Sequence, residues 1–311
     1  ASPPSCGLKP RPSGAPSPRG RYEPVASVRH KPKVLLLGDD LTQGDPVCPS
    51  ASFAAALAEA NPRLMFENAG HGGLMARHLA DPAAHGLPLP RPEDYGCWAV
   101  CILIGTNDAM SMCAPEEWVE ETYTSQGLLP ADWRVQCPPS PELFERSLSE
   151  AARAFVHAGA RVALVTPPPL GEDAAGSGCC SELRRPPPET LRELAAAVRR
   201  VAAAEGCALL PFHECAEMHL ARLREDKAGR PACWTPAESE RRRRENMLHR
   251  KEEWAQAKRI LAWADCGRDA AARGALCHDL ARLNECGAAL CAALCQAWLA
   301  LEAPAVAGTQ P

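Results

Sequence analysis

The sequence predicts an α/β protein with a parallel sheet that helices cover on both faces. Two observations predict this fold class. Short apolar runs of strand length alternate with segments whose apolar residues recur at helical spacing. The composition of the 311 residues, 46% hydrophobic and 23% charged, is that of a folded globular protein. Parallel strands joined by helices bring their carboxyl ends to one edge of the sheet, where ligands bind in such folds.

The elements follow one another along the chain as this fold requires. The apolar runs predict buried strands at residues 34–37, 64–67, 98–104, 160–166 and 207–212. Helical spacing predicts helices at 52–60, 141–157 and 189–205, and a largely apolar last helix at 285–301 that closes the sheet.

Three regions stand outside this alternation. Residues 1–30 are rich in proline and are expected to be a disordered leader. The folded domain is expected to span residues 31–303, and residues 304–311 are expected to be a disordered tail. Because residue 1 is Ala rather than Met, we expect a fragment or a processed product, which leaves room for a removed targeting segment. A helical insertion is expected at about 214–275, with one long, charged helix at 238–263.

Charge and cysteine usage exclude some classes of protein. A net charge of −4 argues against a nucleic-acid-binding protein, which needs clustered excess Lys and Arg, and no apolar stretch is long enough to span a membrane.

Several of the 16 cysteines, such as Cys101, Cys291 and Cys295, lie in apolar segments, where Cys behaves as a small hydrophobic residue. We therefore expect a reducing, cytoplasmic compartment. The oligomeric state is left open.

Polar motifs follow the first three predicted strands, and a fourth precedes the last helix. They are Gly-Asp-Asp-Leu-Thr-Gln-Gly at 38–44, Asn-Ala-Gly-His-Gly-Gly at 68–73, Gly-Thr-Asn-Asp at 105–108 and Asp-Leu-Ala-Arg-Leu-Asn-Glu-Cys-Gly at 279–287. Each motif alone is a weak signal, but their order and spacing together are a strong one.

With these motifs the sequence resembles the SGNH hydrolases, the GDSL-type esterases, over residues 33–301. The run Val-Thr-Pro-Pro-Pro-Leu at 165–170 is similar to the isoamyl-acetate esterase branch. The resemblance implies a three-layer α/β/α sandwich with a five-stranded parallel flavodoxin-like sheet, the SGNH hydrolase fold. In that family the Ser of Gly-Asp-Ser-Leu is the nucleophile. Its backbone N–H, a Gly and an Asn form the oxyanion hole, and a late Asp-x-x-His supplies acid and base.

Carried over position by position, the match is partial. Gly73 and Asn107 stand where the oxyanion-hole Gly and Asn stand, and Asp279 stands where the triad acid stands. The nucleophile position, whose backbone N–H is the third oxyanion donor, holds Asp40, and the position of the catalytic His holds Arg282.

These two replacements predict a loss of the serine chemistry. A serine hydroxyl needs a neutral imidazole to take its proton, and Arg, with a pKa above ~12, has no lone pair to offer at working pH. Because nucleophile and His touch in the family fold, we expect an ion pair between Asp40 and Arg282 in a degenerate pocket. The pocket is expected to bind a small acyl ester or carboxylate, without a cofactor or metal.

Other interpretations stay open at this point. One is an interaction or scaffold protein that acts through the charged helix at 238–263, and another is an active hydrolase with Asp40 as nucleophile. His278 is a second candidate for the base, and His71 for a proton carrier. Weaker candidates are an oxygen-ligand cation site (Asp39, Asp40, Asn107, Asp108, Asp279), a zinc-type set (His213, Glu214, Cys215, His219, Cys233) and redox-active thiols (Cys179, Cys180).

Overall fold

Strands and helices alternate along the computed structural model, which describes residues 31–44, 52–83, 85, 96–170, 183–225, 276, 283 and 285–302. In this part of the chain the strands are β1 (Lys33–Gly38), β2 (Met65–Gly70), β3 (Ala99–Leu103), β4 (Arg161–Val165) and β5 (Ala208–Leu210). They form one sheet in the order β2-β1-β3-β4-β5, and every neighbouring pair is parallel. The predicted five-stranded parallel sheet is confirmed.

Helices connect the strands. In chain order they are α1 (Asp40–Gln43), α2 (Phe53–Ala60), α3 (Ala76–Ala80), α4 (Thr106–Cys113), α5 (Glu116–Val119), α6 (Trp133–Gln136), α7 (Pro141–His157), α8 (Pro187–Glu205), α9 (Phe212–Glu225) and α10 (Glu285–Glu302). A single turn of π-helix, Glu120–Thr124, directly follows α5.

The central strands β1 and β3 are buried on both faces because they carry apolar residues at successive rather than alternate positions. Along β1, Leu35 and Leu37 pack into one core with α3, α4, α7 and α8. The intervening Val34 and Leu36 pack into a second core with α2, α9 and α10. Helices therefore cover both faces, which confirms the predicted three-layer sandwich.

The long helix α7 begins and ends at the predicted residues. The hydroxyl of Ser140 accepts a hydrogen bond from the Leu143 N–H and caps the first turn, and Pro141 takes the first helical position, where no N–H is needed. Phe144, Leu148 and Phe155 lie on its buried face. A cap, a proline and one apolar face together specify the helix.

The first residues of the predicted helical insertion at about 214–275 belong to a helix. β5 ends at Leu210, and α9 spans Phe212–Glu225, while most of the rest of the predicted insertion lies outside the described residues. Pro211 explains the early end of β5, because proline has no N–H to give to a strand partner. The expected leader (1–30), long helix (238–263) and tail (304–311) lie outside the described residues and stay predictions. Among the described helices, none has the length and apolar character to cross a membrane.

The described cysteines include both free and bonded forms. Cys101 on β3 and Cys291 and Cys295 on α10 are free and buried in the second core, as expected for small apolar side chains. Cys286, at the start of α10, is disulfide-bonded. This bond is an observation against the expected reducing compartment, which stays a prediction.

Candidate active site

Three polar motifs meet because their strands are neighbours in the sheet. Gly38, the last residue of β1, pairs with Gly70 of β2 and with Leu103 of β3. The loops that follow these strands therefore leave the sheet side by side. Gly38 itself must lack a side chain, since a Cβ there would lie 1.9 Å from the Leu103 carbonyl oxygen. This close approach brings residues 39–44, 71–73 and 105–108 into one site.

The carboxylate of Asp40 accepts hydrogen bonds from both predicted oxyanion-hole donors. The backbone N–H of Gly73 donates to Asp40 Oδ2 at 2.9 Å, and the side-chain Nδ2 of Asn107 donates to the same oxygen at 2.9 Å. Asp40 is half-buried, and its second oxygen, Oδ1, faces Gly72, where an added Cβ would lie 3.1 Å away. One carboxylate oxygen thus occupies the point on which the two donors converge.

The amide of Asn107 is held from three sides. Its Nδ2 also donates to the Leu74 carbonyl oxygen at 3.1 Å, and its Oδ1 accepts from the hydroxyl of Tyr123 at 2.9 Å. Asn107 is buried at the start of α4, and Tyr123 is fully buried in the π-helix. The donor that faces Asp40 is therefore fixed in direction before any ligand is present.

The second donor, Gly73, sits in a loop that only glycine fits. Its φ is +78°, a left-handed conformation that side chains rarely adopt, and a Cβ would lie 2.4 Å from Leu128 Cδ1. Leu128 is in turn held by His78, whose Nε2–H donates to the Leu128 carbonyl oxygen at 2.8 Å while its Nδ1 accepts from the Met75 N–H. Burial lowers the pKa of His78 to about 4. The imidazole is therefore neutral at pH 7 and acts as a structural bridge.

Two buried acids lie behind Asp40. Asp39 caps α1, its Oδ1 accepting from the Leu41 N–H, and burial, with the charges of Asp40 and Asp108 added, raises its pKa well above the usual value. Asp108 accepts from the Ala76 N–H with both oxygens, and burial raises its pKa to about 7. Burial thus favours the neutral form of both acids and opposes a concentration of negative charge behind the Asp40 carboxylate.

The remaining predicted site residues fall in two groups. Asp279, Arg282 and the alternative base His278 lie outside the described residues, so the Asp40–Arg282 ion pair stays a prediction. His71 is exposed, and its ring bonds to the neighbouring Gly72 carbonyl. Among the residues that the structure describes, no histidine ring is hydrogen-bonded to Asp40.

Two residues of the predicted zinc-type set, His213 and Glu214, make hydrogen bonds at a different place, the carboxyl end of β4. His213 Nδ1 is 3.0 Å from the Pro167 carbonyl oxygen, and the Glu214 carboxylate accepts from the Thr166 hydroxyl. Cys233, Cys179 and Cys180 lie outside the described residues. Within the described ranges, no group of three or more His, Cys, Asp or Glu side chains is arranged to hold a metal ion.

Sequence reasoning missed the residues that hold the donors. Tyr123, His78 and Leu128 touch or flank the site, yet they come from segments to which no motif was assigned. The sequence offers little signal for them, because their partners lie 16 to 50 residues away along the chain. An aromatic cluster at Trp118, Tyr123 and Trp133 marks the segment as buried but does not indicate what it touches.

Comparisons with known proteins agree with this architecture. A crystal structure of the acetyl xylan esterase AlAXEase is 14% identical, with a TM-score of 0.51, over 86% of this chain and 99% of that chain. At this identity the likeness shows the fold. Two further crystal structures overlap less closely. They are a lipase/acylhydrolase from Enterococcus faecalis (16% identity, TM-score 0.47, 87% of this chain and 96% of that chain) and a member of the lipolytic protein G-D-S-L family from Veillonella parvula DSM 2008 (12%, 0.45, 85% and 96%).

No curated protein sequence matches the chain. The family model of the GDSL-like Lipase/Acylhydrolase family matches residues 36–249, a span that contains the first three motifs and ends before the fourth. Since that span is more than half of the sequence, the chain belongs to the GDSL-like lipase/acylhydrolase family.

Proposed function

We propose that this GDSL-family protein does not hydrolyse esters by the serine mechanism, because its own Asp40 carboxylate fills the oxyanion hole. A single observation carries the proposal. The two donors expected to bind the oxygen of a reacting ester, Gly73 N–H and Asn107 Nδ2, both donate to Asp40 Oδ2. A carboxylate oxygen in that place mimics the oxyanion of a tetrahedral intermediate, but it is a permanent part of the chain.

A substrate would have to displace this carboxylate before it could react. A hydrogen bond to a charged group contributes about 1.5–3 kcal/mol to stability, and the half-buried position of Asp40 favours the low end of that range. An ester carbonyl is a neutral and weaker acceptor. It therefore competes poorly for the same two donors.

The residue at the position of the family's catalytic base supports the proposal from the sequence side. Arg282, at the position of the family's catalytic His, cannot take a proton at working pH. We propose that it pairs with the Asp40 carboxylate, whose Oδ1 is not one of the atoms bonded to Gly73 or Asn107. Such a pair would hold the carboxylate in the hole rather than compete with the donors.

Catalysis by Asp40 as a nucleophile fits the geometry less well. An attacking oxygen must lie beside the hole while the substrate carbonyl oxygen lies in it, since the donors stabilise charge on the latter. Here Oδ2 is inside the hole and Oδ1 faces Gly72. Turnover of the resulting anhydride would also need an activated water, and so a base.

This proposal limits the conditions under which the predicted ligand can bind. The small acyl ester or carboxylate predicted for the pocket needs the donors that Asp40 holds, so it binds only when Asp40 moves away. The resemblance of residues 165–170 to the isoamyl-acetate esterase branch makes short acyl esters the class to test first.

The test is hydrolysis of nitrophenyl acetate and nitrophenyl butyrate. We expect the unmodified chain to match the buffer rate and the double variant Asp40→Ser, Arg282→His to turn over. Asp40→Ala is the matched control, because it empties the hole without supplying a nucleophile. Robust turnover by the unmodified chain that Asp40→Ala abolishes would refute the proposal. Mass spectrometry of an Asp40 adduct would then identify the carboxylate as the nucleophile.

A further inference from the structure

One segment between β3 and α7 reaches both donors of the site. It comprises residues 116–136, which include α5, the π-helix and α6, and is called the clamp segment below. Tyr123 of this segment donates to Asn107, and Leu128 of the same segment lies over Gly73. The two contacts are linked within the segment, since the N–H groups of Leu128 and Leu129 both donate to the Tyr123 carbonyl oxygen.

The hydrogen bonds of Asn107 decide which way its amide faces. Nδ2 has two protons, and these go to two acceptors, Asp40 Oδ2 and the Leu74 carbonyl oxygen. Oδ1 needs a donor, and the Tyr123 hydroxyl supplies it at 2.9 Å. A flipped amide would turn Oδ1 towards two acceptors, so Asp40 and Leu74 select the orientation, and the Tyr123 hydroxyl holds Oδ1 in it.

Tyr123 is well suited to hold that orientation. Its side chain is only 1% exposed, so its hydroxyl needs a partner inside the protein, and it packs edge-on against Trp118 with ring centroids 5.6 Å apart. The π-helix widens the backbone at this point, a feature often found at functional sites. Neither the Tyr123 nor the Leu74 contact depends on Asp40.

From these contacts we infer that Tyr123 is a positioning residue, which holds the Asn107 amide in the orientation in which its N–H faces the oxygen bound in the hole. The inference rests on the proposed function only in that it takes Gly73 and Asn107 as the donors of the hole. It extends the site to the clamp segment, to which no motif had been assigned. The donor direction is then set by the protein fold and not by the occupant.

The test follows the Asn107 side-chain amide by nuclear magnetic resonance in the full chain. In the unmodified protein both Nδ2 protons are bonded, and we expect two separate, slowly exchanging signals. Tyr123→Phe removes only the hydroxyl and leaves Oδ1 without its donor. We expect exchange of the Asn107 amide protons to become about tenfold faster, which corresponds to one lost hydrogen bond, while the Gly73 N–H signal stays in place.

Trp118→Phe is the matched control, because it loosens the packing around Tyr123 and leaves the hydroxyl intact. Its Asn107 signals should keep their shifts and exchange rates even if the protein is less stable. Unchanged Asn107 exchange in Tyr123→Phe, or equal acceleration in both variants, overturns the inference. If Tyr123→Phe does not fold, the hydroxyl proton of Tyr123 in the unmodified chain tests the inference instead. A protected Tyr123 hydroxyl proton with a cross-peak to Asn107 supports the inference, and a freely exchanging one overturns it.

The outcome is separate from that of the ester assay. Ester turnover by the unmodified chain refutes the proposed function whatever the Asn107 signals do. Unchanged Asn107 signals refute the role of Tyr123 and leave the ester result standing.

Discussion

Truncation of Asp40 gives a direct measure of how strongly the carboxylate is held in the hole. Asp40→Ala removes the common acceptor of the Gly73 N–H and Asn107 Nδ2 and leaves both donors facing an empty space. Two effects oppose one another. The lost hydrogen bonds destabilise the folded state, and the removal of a negative charge that acts on Asp39 stabilises it.

The structure indicates which effect is larger. Two hydrogen bonds to a charged acceptor are together worth about 3 kcal/mol at the low end of their range, and water can enter the half-buried position and recover part of this. The electrostatic repulsion that Asp40→Ala removes is small, because burial already favours the neutral form of Asp39. We therefore expect Asp40→Ala to lower the free energy of unfolding by about 2 kcal/mol at pH 7.

Urea unfolding followed by circular dichroism measures this change, with Asp40→Asn as the matched variant. Asn keeps an oxygen of the same reach and loses the charge, so we expect a loss of about 1 kcal/mol, between the unmodified chain and Asp40→Ala. If Asp40→Ala is as stable as the unmodified chain or more stable, repulsion among the carboxylates outweighs the two hydrogen bonds. The carboxylate would then be a strained occupant of the hole, and the reasoning would fail.

Three further outcomes follow from the same contacts. The raised pKa of Asp108, about 7 against 3.8, means that its contribution to stability is present below pH 4 and is lost as the pH rises through 7. The unfolding free energies of the unmodified chain and Asp108→Asn should therefore diverge by about 3–4 kcal/mol between pH 4 and pH 8, and parallel profiles would contradict this. The pKa of His78 is lowered, to about 4 against 6.5, so the pH dependence of stability has the opposite sign: stability is lost as the pH falls from 6.5 to 4. A ring titration near pH 6.5, measured by nuclear magnetic resonance, would contradict this lowered pKa. Gly73→Ala should cost at least about 1 kcal/mol from its left-handed backbone, and Leu128→Ala in the same chain should relieve the side-chain contact but not the backbone strain.

The sheet and its long helices were predictable because their signals are local. Strands β1, β3 and β4 are short apolar runs with no polar alternation, which is typical of a strand buried on both faces. The helix α7 shows the same for helices, since a capping Ser140, a first-turn Pro141 and one apolar face all lie within a few turns of each other. Where a proline interrupts such a signal, as Pro211 does after β5, the prediction ran two residues too far.

The family resemblance predicted Gly73 and Asn107 as donors, whereas the sequence did not predict the residues that hold them. Gly73 and Asn107 belong to motifs that directly follow strands, so the sheet order alone brings them together. Tyr123 and His78 act across 16 and 50 residues, and the clamp segment has no regular apolar period from which its path could be deduced. Only the tertiary structure brings a π-helical tyrosine against the asparagine amide.

The contacts of Asp40 give its carboxylate a role that the sequence does not predict. The sequence predicts that this carboxylate pairs with the positive charge of Arg282. In the structure the same carboxylate is an acceptor for Gly73 and Asn107. A carboxyl group has two oxygens and extends further from the backbone than a serine hydroxyl does. It can thus reach donors that a serine at the same position would leave for a substrate.

This difference explains why intact donors need not mean retained catalysis. An oxyanion hole accelerates a reaction only if its hydrogen bonds are stronger in the transition state than in the ground state. In this chain the bonds of Gly73 and Asn107 are already made to a full negative charge when no substrate is present. On the proposed function, the hydrogen-bond energy that an esterase uses to stabilise the reacting ester contributes instead to the stability of the fold. On the proposed function, a site can therefore keep its donors in good geometry, and keep the residues that hold them, without hydrolysing esters.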